Sequence, residues 1–164
     1  MNEHANIWGR KLLIVDDEKD ILEVLIGLLE MCKIDSASSF EEAKNYLEQF
    51  DYDLVILDIM GVKGFDLLEI AKKRGIPALM LTAHALTEES LKQSAEGGAA
   101  YFVPKEEIER IATFVADVLE AKEKNKNPWA RWFQRLGRTF DGIFTGPNWR
   151  EREKEFWDRV LLDE

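Results

Sequence analysis

Four short apolar runs each stop at a residue that can do polar chemistry. Leu12-Leu13-Ile14-Val15 runs into Asp16-Asp17, Leu54-Val55-Ile56-Leu57 into Asp58, Ala78-Leu79-Met80-Leu81 into Thr82, and Ala100-Tyr101-Phe102-Val103 into Pro104-Lys105. A single acid at such a place usually caps the next helix; acids, a hydroxyl and an ammonium together make a set. Two carboxylates 4 Å apart repel by about 4 kcal/mol at an effective dielectric of ~20, so the cluster needs positive charge. Lys105 supplies one charge and a divalent cation the rest. Oxygen donors, completed by water and a phosphoryl oxygen, suit Mg²⁺ better than zinc. In that setting Asp58 is a nucleophile toward an activated phosphoryl group and would become an aspartyl phosphate. Phosphoryl transfer asks for positioning and charge stabilisation. Lys105 would neutralise equatorial oxygens, and the Thr82 hydroxyl would donate a hydrogen bond to one of them.

This chemistry needs the runs to end at one rim of a sheet. Apolar runs with β-branched members read as strands covered on both faces, and ligands of such sheets bind beyond the strands' carboxyl ends. Strands are expected at 11–15, 34–37, 54–58, 78–81 and 100–103. Helices fill the gaps, at about 18–31, 39–50, 65–74, 87–98 and 106–123. Ile21, Leu22, Leu25, Leu28 and Leu29 give the first helix one apolar face, as Ile108, Ile111, Val115, Val118 and Leu119 do for the last. Ser39 with Glu42 is a capping-box pattern, Thr87 with Ser90 opens the fourth helix, and Gly75 before Pro77 closes the third. Strictly alternating strands and helices predict an α/β fold, a doubly wound five-stranded parallel sheet in the order 2-1-3-4-5. Residues 1–10 read as a lead-in, with Trp8 packing on the domain's edge.

The 164 residues allow one ordinary domain and a modest extension. A net charge of −10 argues against a nucleic-acid partner, which a basic footprint would announce. Cys32 is the only cysteine, which excludes an intrachain disulfide and favours a reducing compartment. Without an apparent leader or an apolar run near 18 residues, a soluble, cytoplasmic chain is expected, not one associated with a membrane. The charge divides unevenly. From Asn125 onward eight bases meet seven acids, so residues 1–124 carry −11. Trp129, Trp132, Trp149 and Trp157 also lie beyond that point. We place a boundary there, with one domain at 11–123 and an extension at 124–164.

Taken together, Leu13-Ile14-Val15-Asp16-Asp17-Glu18, Leu57-Asp58-Ile59-Met60, Leu81-Thr82-Ala83 and Pro104-Lys105 resemble the receiver domain of two-component response regulators. The resemblance implies a flavodoxin-like fold and Mg²⁺ held by Asp16, Asp17, Asp58 and the backbone carbonyl of Met60. It implies phosphorylation of Asp58 by a sensor histidine kinase or a histidine phosphotransfer protein. It also implies a switch pair, Thr82 and Phe102, that reshapes the surface formed by the fourth helix, fifth strand and fifth helix for a downstream protein. The chain departs from the family after Asp58, where Met60-Gly61-Val62-Lys63-Gly64-Phe65 is about two residues shorter and lacks a proline. It departs again at Pro104-Lys105-Glu106, where the family's order is Lys-Pro. His84 borders the site as a residue that tunes phosphoryl hydrolysis or as a solvated loop histidine. Glu18 either holds a metal-bound water or caps the first helix.

In the extension, Trp129, Trp132, Phe133, Leu136, Phe140, Ile143 and Phe144 recur at helical spacing, with Arg131, Arg135 and Arg138 off the stripe. Gly146-Pro147-Asn148 reads as a turn before a second helix carrying Phe156, Trp157, Val160 and Leu161. So large an aromatic surface must be covered, by the receiver, a homodimer mate, another partner or a membrane surface, the last disfavoured by the acidity of the second helix. Two other functions compete. One is a degenerate receiver that binds or dimerises without phosphate, suggested by the shortened loop. The other is a phosphatase like the haloacid dehalogenases, which would need an Asp-x-Asp pattern after strand one in place of Asp16-Asp17-Glu18.

Overall fold

The computed structural model describes residues 4–83, 87–144 and 149–162. Its centre is made by the runs that are apolar on both faces. Strands β3 (Leu54–Asp58), β4 (Ala78–Thr82) and β5 (Tyr101–Pro104) are buried along their whole length, and β1 (Lys11–Val15) after its first residue. Strand β2 (Lys33–Ala37) lies at an edge, and only Ala37 is fully covered. All neighbours pair in parallel, in the order β2-β1-β3-β4-β5. Val15 is level with Ala37 and Leu57, Asp58 with Leu81, and Thr82 with Pro104. This register makes the carboxyl ends of β1, β3, β4 and β5 finish together.

Helices α1 (Lys19–Leu28), α2 (Phe40–Gln49), α3 (Gly64–Lys73), α4 (Glu88–Glu96) and α5 (Ile111–Glu123) fill the connections. The Ser39 hydroxyl accepts from the Glu42 amide at 3.2 Å, while Glu42 reaches back to the Ser38 amide at 3.0 Å. Thr87 and Ser90 form a complete capping box. Helix α1 ends at Leu28 rather than near 31, because Leu29 leaves helical geometry and its carbonyl takes the Cys32 amide in a turn. Helix α5 starts five residues later than expected. A 3₁₀ stretch, Lys105–Arg110, precedes it, with Glu107 outside helical geometry. At the amino end, Ile7 is buried in a short 3₁₀ turn, Ala5–Ile7, and Trp8 is 56% exposed, reversing the expected packing.

Beyond α5 the chain forms α6 (Pro128–Ile143), α7 (Trp149–Arg152) and α8 (Lys154–Leu162). The expected second helix is thus split. Glu153 sits at the break, where its carbonyl takes the Trp157 amide and its carboxylate meets Lys92 of α4 at 3.0 Å. The Gly146-Pro147-Asn148 turn and a cap at Asn148 lie outside the described residues. Asn127 caps α6 through the Trp129 amide at 2.9 Å, and Pro128 follows at the first helical position. Trp129, Trp132, Leu136, Phe140 and Phe144 are all buried, packed on the domain of the same chain. Among the described residues no helix is long and apolar enough to cross a membrane.

Candidate functional site

Strand β1 delivers Asp16 to the rim fully buried, with Asp17 beside it in solvent. Strand β3 delivers Asp58, β4 delivers Thr82, and the chain leaving β5 delivers Lys105; Asp58 and Thr82 are buried. The Lys105 ammonium lies 3.1 Å from Asp16 Oδ2, 3.5 Å from Asp58 Oδ1 and 2.9 Å from Glu18 Oε1. One cation therefore gathers acids from two strands and a helix start. Asp16 Oδ1 also accepts the Glu18 amide at 2.9 Å. Glu18 does stand at the N-cap of α1, but its side chain makes no capping bond there; it bonds Lys105 instead.

Charge at this rim is unbalanced. Burial pushes the Asp58 carboxyl up to about 7, and the charges of Asp16 and Asp17 add to that push while Lys105 opposes it. Asp16 is also raised, chiefly by burial. Burial works against the Lys105 ammonium, yet its hydrogen bond to Glu18 and its ion pairs with Asp16 and Asp58 hold its pKa above the ordinary lysine value. Among the described residues Asp16 Oδ2, though buried, accepts no hydrogen bond and has only its ion pair with Lys105 at 3.1 Å. A buried carboxylate oxygen met only by a cation it must share leaves room for a further positive charge.

A divalent cation fits that description. One oxygen each from Asp16, Asp17 and Glu18 can lie within 4.8 Å of the others, an all-oxygen donor set of the kind Mg²⁺ takes. The shortened loop after β3 closes against the same acids. Gly61 has φ of +84°, and a β-carbon there would fall 2.5 Å from Asp17 Oδ2. Gly64 is as tightly placed, with a β-carbon position 2.2 Å from the Asp58 carbonyl oxygen. Lys63 between them takes a left-handed conformation at the N-cap of α3, which is uncommon for a residue with a side chain. Two glycines and one left-handed lysine let the loop turn in fewer residues. Met60 is 54% exposed on this loop, and His84 lies outside the described residues.

The sequence profile of the response regulator receiver domain matches residues 12–116. The chain belongs to this family. Among curated relatives it is 32% identical to the heme response regulator HssR of Staphylococcus saprophyticus over 120 residues, 70% of this chain and 54% of that protein. It is 28% identical to the two-component response regulator ARR10 of Arabidopsis thaliana over 127 residues, 73% of this chain but 23% of the relative. The chain thus spans about half or less of these relatives' length. Among solved structures, a CheY-like receiver domain protein from Methanospirillum hungatei superposes with a TM-score of 0.65 at 27% identity, covering 71% of this chain and 98% of that one. A receiver of two-component signalling accounts for the sheet order and for the acids at its rim. The matched stretch stops at residue 116, ahead of the aromatic extension.

That extension reveals a second polar cluster that sequence reasoning missed. Asp117 of α5 is buried, accepts the Tyr101 hydroxyl at 2.9 Å and receives Arg135 of α6 through both guanidinium Nε and, at 3.0 Å, Nη2. A hint was present: Asp117 interrupts the apolar face of α5, and Arg131 and Arg135 stand one turn apart on the next helix. Phe102, the expected switch aromatic, is fully buried with its ring 5.6 Å from that of Phe140.

Proposed function

We propose that this chain is a phosphorylation-switched receiver in which Asp58 accepts a phosphoryl group from a sensor histidine kinase or a histidine phosphotransfer protein. The observation that carries this is the shared Lys105 ammonium, which ties Asp16 and Asp58 at one buried rim while leaving Asp16 Oδ2 without a hydrogen bond. Asp16, Asp17, Asp58 and the Met60 carbonyl would hold Mg²⁺. When bound, the ion supplies positive charge to the acids and to the incoming phosphoryl oxygens.

In the transfer, an Asp58 carboxylate oxygen attacks phosphorus while the bond to the donor's imidazole nitrogen breaks, its electron pair leaving on that nitrogen. Lys105, already against Asp58, neutralises one phosphoryl oxygen. Thr82, on the adjacent strand, donates its hydroxyl to another. Water later cleaves the acyl phosphate, so the chain's only chemistry is accepting and losing this group. Drawing in Thr82 leaves room for Phe102 to turn inward, which would reshape the α4–β5–α5 surface for a downstream protein. A cytoplasmic setting suits the acidic, single-cysteine composition.

The deciding experiment is intact-mass spectrometry with acetyl phosphate and Mg²⁺. One phosphoryl group should be added, dependent on Mg²⁺ and absent from Asp58→Asn. Unlabelled wild-type protein would instead favour the phosphate-independent module. Hydrolysis of a simple phosphate ester by Asp58→Asn would favour the phosphatase.

A further inference from the structure

The α4–β5–α5 surface is already occupied, by this chain's own extension. Each of its three elements is tied separately. On β5, the edge strand of the sheet, Trp132 Nε1 donates to the Phe102 carbonyl at 2.7 Å, and just ahead of that strand Trp129 Nε1 donates to the Ala99 carbonyl at 2.9 Å. On α5, Asp117 is clasped by Arg135. On α4, Lys92 pairs with Glu153 at 3.0 Å and lies 5.3 Å from the centre of the Phe156 ring. Phe102 is held twice, by its carbonyl through Trp132 and by its ring against Phe140, and those two side chains stack at 5.2 Å. The residue with the strongest claim to be the moving part is thus itself held by the extension.

We infer that α6–α8 is a cap bound in cis, seated on Phe102, and that phosphorylation of Asp58 unseats it. This rests on the phosphoryl-acceptor reading above. If Phe102 turns toward the space Thr82 vacates, Phe140 loses its ring contact and Trp132 its acceptor geometry together. The tethers at Asp117 and Lys92 lie elsewhere and do not themselves sense Asp58. Release therefore begins at the middle of α6 and exposes β5, the strand edge that the cap otherwise shields. Linkage makes the coupling reciprocal: a cap that favours the unphosphorylated arrangement must weaken phosphoryl binding, and loosening it must strengthen that binding.

The molecule carries its own reporter. Trp129, Trp132, Trp149 and Trp157 are buried in the cap, and Trp8, the remaining tryptophan, is exposed and removable as Trp8→Phe. In the full chain, Mg²⁺ with beryllium fluoride, a phosphoryl mimic, should red-shift the tryptophan emission and raise acrylamide quenching about threefold. Hydrogen exchange should rise in α6 and β5, and Asp58→Asn should show none of this. Trp132→Phe, which deletes the indole N–H but keeps a ring, should bind beryllium fluoride about fivefold more tightly, within the usual range of coupling. Phe140→Leu tests the same point should Trp132→Phe fail to fold. Phosphoryl labelling by mass with unmoved tryptophans overturns the cap and leaves the acceptor intact. Unchanged or weaker beryllium fluoride affinity in both folded variants also overturns it. Absence of labelling removes the acceptor reading and the cap's trigger with it.

Discussion

Two sets of buried aspartates stand at opposite ends of a balance. Asp117 takes two bonds from Arg135 and one from Tyr101, with Arg131 3.9 Å away; its charge is met in full by the protein. Asp16 and Asp58 share a single lysine that Glu18 also claims, and among the described residues Asp16 Oδ2 accepts no hydrogen bond. The first cluster fastens one part of the fold to another. The second leaves three acids to share one cation. Both sets are buried, and they differ in how completely the protein partners their charge.

Removing one acid from each set should push that contrast furthest. Asp58→Asn abolishes phosphoryl labelling, a loss of at least ~100-fold that intact mass would read, since an amide is no nucleophile toward phosphorus. Asp117→Ala leaves labelling chemistry in place but strands Arg135 and the Tyr101 hydroxyl, costing about 2–4 kcal/mol in urea unfolding. Were Asp117→Ala as stable as wild type, the clasp would be ornamental and the comparison would collapse.

Protonation gives the next effect in size. With its pKa pushed up to about 7, folded Asp58 keeps a proton that the unfolded chain has already released above pH 4. The unfolded state then binds fewer protons, so metal-free stability should fall as pH rises from about 4 to 7 and level off beyond. Asp58→Asn should flatten that slope and raise stability at pH 7.5 by about 1–3 kcal/mol, measured by thermal melts in a chelator. Asp16→Asn should likewise not destabilise the apo chain, while Mg²⁺ affinity by calorimetry drops at least ~10-fold. The smallest contrast uses two glycines. Gly75→Ala, with open space around a φ of +71°, should cost about 1 kcal/mol and spare Mg²⁺ binding. Gly61→Ala should cost more and weaken Mg²⁺, because its methyl would press on Asp17.

Much of the receiver was legible because its signals are local. Apolar runs of strand length, ending in Asp16, Asp58, Thr82 and Lys105, fix both the sheet and the rim, as the parallel register requires. The helix boundaries that slipped, at Leu28 and before Ile111, lie at a turn and a 3₁₀ stretch that the apolar pattern does not mark. The extension shows the same limit. Its aromatic stripe announced a buried helix, but not which surface would bury it. That choice depends on Trp132 finding the Phe102 carbonyl and Arg135 finding Asp117, 30 and 18 residues away in the chain. Of the two readings of Glu18, the side-chain cap fails for a related reason: a carboxylate at a helix start reads as a cap until a lysine from a distant strand end competes for it.

Cys32 carries a practical consequence. Its Sγ donates to the Ile7 carbonyl at 3.3 Å, and partial burial with Asp53 nearby lifts the thiol to about 11. At neutral pH only about one molecule in ten thousand is then a thiolate, so the native sulfur should stay dormant toward alkylating dyes. A second cysteine placed at Leu162, 81% exposed on α8, would take up such a dye almost alone. The chain thereby offers one clean anchor for a fluorescent ruler between its far helix and the domain beneath.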